Sequence, residues 1–371
     1  MELICPDSRC PNHSPDRSIQ WFDFHGAYES CGSRIQRYRC RSCRRTFSRR
    51  TLSIDFWTHR RLDYLNIINL FGSGCSLRAI SRFMNASVNT IQDRIGRLAR
   101  SILPALSQIQ ESLDPAEDLV ADGLENFFVS QDFPNNINLL VGKKSQYTYG
   151  FSYALMRRKG TTTDTQKQRC IRLYPHVDFT RNTITKSFVA LIEQMHRVTR
   201  KRSIWTLYTD EKDQYQTALR KDPKISEQIR AGTFRHVRIN SKRPRTVTND
   251  LFAVNYMDRE IRKDVAEYRR ETVCFGRNVA NGLERMCVYL FHHNFIKRYR
   301  IGVTSEVRTH AEVAGVNRDQ IASIRNDVLN RRHFLTDREV RPGSFLESVW
   351  MRRTPTPLKT SDEYLPQYVA A

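Results

Sequence analysis

Five of the nine cysteines lie within the first 43 residues, at Cys5, Cys10, Cys31, Cys40 and Cys43. An odd total spread over 371 residues is a poor disulfide framework. Cys5 and Cys10 form a C-x4-C pair, and Cys40 and Cys43 form a C-x2-C pair. Each can make a tight knuckle offering two thiolates to one side. Two knuckles brought together give a tetrahedral site for one structural Zn2+. This segment has few aliphatic residues, so it needs such a staple to fold. The C-x2-C knuckle is the tighter half; His13 or Cys31 could replace a member of the looser one. Cys75, Cys170, Cys274 and Cys287 are scattered and read as ordinary buried thiols.

Around the second knuckle runs RIQRYRCRSCRRTFSRR, Arg34 to Arg50, with eight arginines, no acid, and Tyr38 and Phe47 interleaved. Arginine at this density suits phosphate contact, expected at Arg41, Arg44, Arg45, Arg49 and Arg50. The whole chain agrees: 61 Lys and Arg against 39 Asp and Glu leave a net charge of +22. Such a surplus implies a polyanionic partner, nucleic acid first and an anionic membrane surface second. No apolar run approaches the roughly 18–20 residues needed to span a bilayer. MELICPDSRC lacks the apolar centre of a signal peptide. A soluble cytoplasmic protein with no membrane partner is therefore expected.

Residues 62–100 read as three helices. LDYLNIINLF has apolar spacing of three and four, and Gly72 and Gly74 then break the chain. Ser76 is a candidate N-cap for LRAISRFM, with Leu77, Ile80 and Phe83 inward. After a short turn, Ser87 caps VNTIQDRIGRLAR, with Val88, Ile91 and Ile95 inward. Asn89, Thr90, Gln92 and Arg94 then point outward, as residues meeting base edges in a major groove would. The pattern predicts a helix-turn-helix. SILPALSQIQESLDPAE, residues 101–117, reads as a linker with a short helix bounded by Pro104 and Pro115.

After Pro115 the pattern changes. DLVADGLENFFVS reads as a strand, INLLVGKKSQYTYGFSYALMRRKG as two strands around a Gly-Lys-Lys-Ser turn, and CIRLYPHVDF as another, with His176 an ordinary strand histidine. TITKSFVALIEQMHRVTR is helical, SIWTLYTD is a strand followed by a helix through Tyr215 and Leu219, and FRHVRIN is a short strand. Helices dominate from Asp250. The predicted class is α/β with a mixed sheet flanked by helices. Asp122 and Asp210 each end or interrupt an apolar strand-like run. Carboxylates on neighbouring strands can clamp a pair of Mg2+ ions, hard cations that prefer oxygen ligands and leave positions for substrate phosphate. Two such ions about 3.5–4 Å apart can activate an attacking oxygen and stabilise a leaving one.

The order of these parts resembles bacterial and archaeal insertion-sequence transposases of the DDE type, in particular the insertion-sequence-one group. The resemblance rests on the first C-x4-C with YRCRSCRRTFS, the helix-turn-helix, YTDEKDQY, and HVRINSKRPR running into NYMDREIRKDVAEYRRETVCFGRN. It covers most of residues 1–300 and thins beyond Tyr299. The group's LR-x8-KT-x-CFS motif is approximated by Ile261-Arg262 and Glu271-Thr272-Val273-Cys274-Phe275-Gly276. The resemblance implies a ribonuclease H-like catalytic domain, preceded by a small zinc ribbon and an all-α helix-turn-helix domain. It implies that water and then a DNA 3′-hydroxyl attack phosphodiesters at transposon ends, with two Mg2+ or Mn2+ ions. Double-stranded DNA, as inverted-repeat ends and as target, is the implied partner. A homodimer or larger assembly is implied because two ends must be paired, and a nucleoid-associated location in a prokaryote follows.

Asp122 and Asp210 sit where that family has its first two acids. Its third is usually Glu with Asn three residues later; here Asn255 precedes Asp258. At about 100° per residue, Val254, Met257, Ile261, Val265 and Tyr268 make one apolar stripe. Asp258 and Asp264 lie on its borders and Glu260 does not. Asp258, supported by Asn255, is the predicted third acid, with Glu260 as the alternative and Glu284 more distant. Lys242, Arg243 and Arg245 are expected on DNA phosphates. The expected organisation is a zinc ribbon at 1–50, the helix-turn-helix at 51–100, the linker at 101–117, and the catalytic domain at 118–300. A helical region at 301–352, whose AEVAGVNRDQI faintly resembles another helix-turn-helix, and a disordered tail at 353–371 complete it. The competing expectation is a non-catalytic, sequence-specific DNA-binding regulator descended from a transposase.

Overall fold

The computed structural model describes residues 3–14, 20–113, 115–158, 160–175, 177, 182–269, 274–300, 302–334, 343–354 and 366. His176, motif residues 271–273 and nearly all of the predicted tail lie outside these.

The N-terminal unit is a three-stranded antiparallel sheet of β1 (Phe22–Ser30), β2 (Ser33–Cys40) and β3 (Thr46–Ser48). It has its own small core of Trp21, Tyr38, Phe47 and the cysteines Cys5, Cys10 and Cys40. Trp21 stacks on Phe47 with ring centroids 5.3 Å apart.

Three helices follow: α1 (Tyr64–Gly72), α2 (Leu77–Phe83) and α3 (Val88–Ser112). The predicted caps form, with Ser76 Oγ accepting from Ala79 N at 3.2 Å and Ser87 Oγ from Thr90 N at 3.1 Å. Two expectations fail here. Phe83 is 67% exposed and Val88 37% exposed rather than inward. Nor does the chain break at Pro104, because α3 runs through it to Ser112. Proline has no N–H to give the carbonyl four residues back, which is that of Arg100. The indole Nε1 of Trp350 donates to that oxygen at 3.0 Å instead. The lost bond is replaced, and the apolar face of α3 stays buried through Ile109.

The larger sheet has β4 (Leu119–Phe127), β5 (Pro134–Gly142) and β6 (Thr148–Leu155), then α4 (Asp164–Leu173), α5 (Thr183–Val198), β7 (Trp205–Thr209), α6 (Asp213–Lys221), α7 (Pro223–Arg230) and β8 (Phe234–Arg238). The strand order is β6-β5-β4-β7-β8. β4, β5 and β6 are antiparallel neighbours, whereas β4–β7 and β7–β8 are parallel. The strand expected from Cys170 is instead the last turn of α4, started by a capping box of Thr163 and Gln166. α8 (Phe252–Asp264), α9 (Val279–Phe295), α10 (His310–Val313), α11 (Arg318–Asn330) and α12 (Ser344–Trp350) complete the chain. α5 covers β5 and β6, α8 lies on β4 and β5, and α9 and α11 pack on α3. A single apolar core runs from Ile54 through the sheet to Trp350. Among the described residues no helix is long and apolar enough to cross a membrane.

Candidate active site and metal centre

The parallel pair of β4 and β7 ends at the register Ala121↔Thr209. The next residue on each strand is an aspartate, Asp122 and Asp210, so two carboxylates stand side by side one strand spacing apart. Asp122 Oδ1 accepts from Gly123 N at 2.7 Å, and Asp210 Oδ1 from Lys212 N at 3.1 Å. Between them sits an ammonium: Lys212 Nζ is 3.8 Å from Asp122 Oδ1 and 3.8 Å from Asp210 Oδ2. Both carboxylates keep a 14% exposed side chain, so the pair opens to solvent.

The predicted third carboxylate, Asp258, is carried by α8. Its apolar stripe, Val254, Met257 and Ile261, is fully buried, as predicted. Asp258 is carried on the border of that stripe, and its Oδ1 is buried without a hydrogen-bond partner. Burial, then the charge of Asp122, pushes its carboxyl up to about 7. Burial also raises Asp122, the Asp210 charge adds to this, and Lys212 opposes it. The charge of Asp210 thus acts on Asp122 and that of Asp122 on Asp258, although among the described residues only the four cysteines bring three or more ligand atoms within 4.8 Å of one another. Asn255 lies one helical turn before Asp258, on the same side of α8.

The alternative third acids are engaged elsewhere. Glu260 accepts from Lys263 Nζ at 2.9 Å and from Lys297 Nζ. Burial would raise its carboxyl, but the two lysines outweigh burial and hold it below its ordinary value. Asp264 accepts from Tyr289 OH at 2.8 Å. Glu284 is buried between Arg100, at 2.8 Å, and Arg352, at 2.5 Å, and so bolts α9 to α3 and to the chain beyond α12.

Under the acids lies a buried polar chain. Tyr215 OH donates to Asn138 Oδ1 at 3.4 Å, and Asn138 Nδ2 donates to Ser152 Oγ at 3.1 Å and to Ser187 Oγ at 2.8 Å. Lys212 Nζ reaches the same phenol at 3.4 Å. Sequence reading missed Lys212, Tyr215 and Asn138. Only the closeness of Lys212 to Asp210 in TDEKDQY could have flagged the lysine. Lys242, Arg243 and Arg245 all lie exposed in the loop before α8. The positive charge of Arg245 acts on both Asp122 and Asp258, which places this loop beside the acids. Of the motif after α8, Gly276 bridges to Phe128 just past β4. A Cβ there would lie 2.6 Å from the Phe128 ring, so only glycine permits this approach.

The four predicted cysteines do meet. Cys5 Sγ is 3.4 Å from Cys43 Sγ, Cys10 Sγ is 3.7 Å from Cys40 Sγ, and all four sulfurs lie within 4.8 Å of one another. A tetrahedral ZnS4 centre with bonds of about 2.3 Å needs sulfurs about 3.8 Å apart, so the set can hold a structural metal such as zinc. Burial raises the Cys5 and Cys10 thiols. At Cys40, burial is outweighed by donors from Asn12 and the Cys43 and Ser42 backbone, which bring the thiol down to about 7. The substitutes proposed from sequence are not ligands. His13 Nδ1 donates to the Cys5 carbonyl at 2.7 Å, and Cys31 Sγ sits against His59 O at 3.2 Å.

The expected DNA contacts divide. Arg44, Arg45, Arg49 and Asn89 are exposed and Thr90 partly so. Arg41 is partly neutralised by Asp23 at 2.7 Å, an acid contributed by β1 from outside the basic run. Arg50 is buried, its guanidinium spent on Ser30 Oγ and the Thr58 carbonyl. Arg94 is buried against Asp93 and Arg60 O. Gln92 donates to Glu284 at 3.4 Å and accepts from Arg285 at 2.5 Å. The outward assignment fails for Arg50, Gln92 and Arg94, because α9 and the segment around Thr58 cover them. A scan of family models finds no match to this chain, and a search of curated proteins finds none.

Proposed function

We propose that the chain is a DNA transposase, which binds the terminal inverted repeats of an insertion sequence and catalyses metal-dependent cleavage and strand transfer. The observation that carries this reading is the pair Asp122 and Asp210, from β4 and the end of β7, which share Lys212 between them, with the buried Asp258 of α8 feeling the charge of Asp122. The order β6-β5-β4-β7-β8 supports reading the sheet as ribonuclease H-like.

The donor set fits Mg2+ or Mn2+. It consists of hard carboxylate oxygens, one of them buried without a partner, and an ammonium already occupies the gap between two of them. Asp122, Asp210 and Asp258 would hold two ions, with Asn255 supporting. The bound pair would supply an activated attacking oxygen and charge neutralisation at the leaving oxygen. The residues of the chain supply the rest. Lys242, Arg243 and Arg245 grip phosphates beside the acids and hold the strand in line. In the first step water adds to phosphorus and gives up a proton, the P–O bond to the 3′-oxygen breaks, and that oxygen takes up a proton to leave a free 3′-hydroxyl and a 5′-phosphate. In the second step that hydroxyl adds to a target phosphodiester, releases its own proton, and displaces the target 3′-oxygen, which takes up a proton. Tyr215 and Asn138 keep Lys212 and the strand ends in place. The four cysteines hold Zn2+ in a ribbon that adds phosphate contacts through Arg44, Arg45 and Arg49.

The test is incubation of the full chain with duplex DNA ending in the element's inverted repeats. Mg2+-dependent nicking and joining are expected, and Asp122→Ala or Asp210→Ala should abolish both. Tight, salt-sensitive binding with no cleavage under any divalent metal would favour the regulator reading instead. Cleavage indifferent to the repeat ends would point to a nuclease.

A further inference from the structure

α10 and α11 form a second helix-turn-helix that the catalytic reading leaves without a task. Thr309 starts α10 with a capping box to Glu312. Gly315, at φ +99°, makes the turn, and Asn317 Oδ1 caps α11 by accepting from Gln320 N at 2.8 Å. Ala311, Ala314, Val316, Ile321 and Val328 are buried and lock the two helices together. At about 100° per residue the side of α11 opposite Ile321 and Val328 carries Asp319, Ser323 and Asn326, with Ala322 and Arg318 on its flank. All five are exposed. A short helix, a glycine turn and a longer helix with a polar outer face make the arrangement that presents a second helix to a major groove.

The first helix-turn-helix cannot present its own second helix in this way beyond the first turn. Gln92 and Arg94 of α3 are consumed by Glu284, Arg285, Asp93 and Arg60, as described above. Beside α11, by contrast, lies a fitting charge. Ile54 N donates to Asn330 O at 3.1 Å, Arg332 N to Leu52 O at 2.8 Å, and Ser53 bridges Arg331. The C-terminal end of α11 is thus stapled to the wall of an open groove of about 380 Å³ lined by Arg34, Arg49, Arg50 and Arg61, with no acid on it. Arg34, Arg49 and Arg61 are exposed. Guanidinium groups in an acid-free groove complement a phosphate backbone.

We infer that α11, rather than α3, reads base sequence in duplex DNA, while the arginine groove at its end holds the backbone. Asp319, Ser323 and Asn326 are the base-reading groups, with chemistry suited to cytosine N4 and to adenine. This rests on the reading that the chain binds specific DNA ends.

The test is selection of bound sequences from a random duplex pool by the full chain, by Asp319→Ala/Ser323→Ala/Asn326→Ala, by Asn89→Ala, and by Arg34→Ala/Arg49→Ala/Arg61→Ala. All changes are at exposed positions, and circular dichroism checks the fold. The wild type should select a motif that the α11 variant loses, with a fall of about tenfold or more per lost contact and an unchanged salt slope. Asn89→Ala should keep the motif. The arginine variant should weaken binding to all sequences and flatten the salt slope by roughly 2–3. An unchanged motif in the α11 variant, its loss in Asn89→Ala, or binding with no motif at all would overturn the inference. Failure to bind duplex DNA at any salt would instead overturn the functional reading beneath it.

Discussion

Asp258→Asn should stabilise the protein above neutral pH while destroying its proposed catalysis. The Asp258 carboxyl is raised from 3.8 to about 7 by burial and by Asp122. An acid whose folded-state pKa is raised binds its proton more tightly in the folded protein than in the unfolded chain. Its contribution to stability is therefore neutral below pH 3.8, falls as pH rises through the window, and is fully unfavourable above about pH 7. At about 1.4 kcal/mol per pKa unit, the full penalty is about 4 kcal/mol. Partial solvation of the neighbouring carboxylates makes roughly 2–4 kcal/mol the working range. Asparagine has the same shape and no charge, so it removes the penalty. The assay is urea denaturation of zinc-loaded, Mg2+-free wild type and variant at pH 4 and pH 8; chelators are avoided because they would also strip the cysteine site. The variant should gain about 2–4 kcal/mol at pH 8 and close to nothing at pH 4. Adding Mg2+ at pH 8 should stabilise the wild type and not the variant. A variant no more stable than wild type at pH 8, or equally stabilised at both pH values, would refute the reasoning.

Three further outcomes follow from other parts of the molecule. Lys212→Met should tighten Mg2+ binding by about tenfold or more in calorimetric titration, because it removes the ammonium that lies 3.8 Å from two carboxylates; unchanged or weaker binding would count against the cation site. Glu284→Gln should cost about 3–5 kcal/mol in denaturation, since it leaves Arg100 and Arg352 buried without their common carboxylate; a loss under 1 kcal/mol would contradict the bolt. Cys10→Ser or Cys40→Ser should release zinc, read by elemental analysis, and make the first fifty residues sensitive to protease while the larger core still melts cooperatively; retained metal would contradict the four-cysteine assignment.

The parts of the site that could be read from sequence were those set by local pattern. The cysteine spacing specified the knuckles, and the apolar run before Asp210 marked the end of β7, whereas Asp122 lies inside β4, which runs on to Phe127. The stripe on α8 ranked Asp258 above Glu260 by angle, but Glu260 is itself buried on the side of Ala253, and it is engaged there by Lys297, 37 residues away. What escaped depended on distant partners. α3 continues through Pro104 because Trp350 supplies a donor across 250 residues. Arg50, Gln92 and Arg94 look like surface groups in their own segments, but the Thr58 and Arg60 carbonyls bury the two arginines and Glu284 and Arg285 engage the half-buried Gln92. Cys170 sits in a β-rich run by composition, but the Thr163 cap begins a helix that carries through it. Lys212 is one charge among several in TDEKDQY, and only the turn after β7 folds its ammonium back between the two acids.

The most direct measurement is anomalous diffraction from crystals of the wild-type protein soaked in Mn2+. The account predicts a peak within about 2.0–2.6 Å of an Asp258 carboxylate oxygen, sharing its ion with Asp122 or Asp210. A peak held by Glu260, or full Mn2+ occupancy at Asp122 and Asp210 with Asp258 left out, would contradict it.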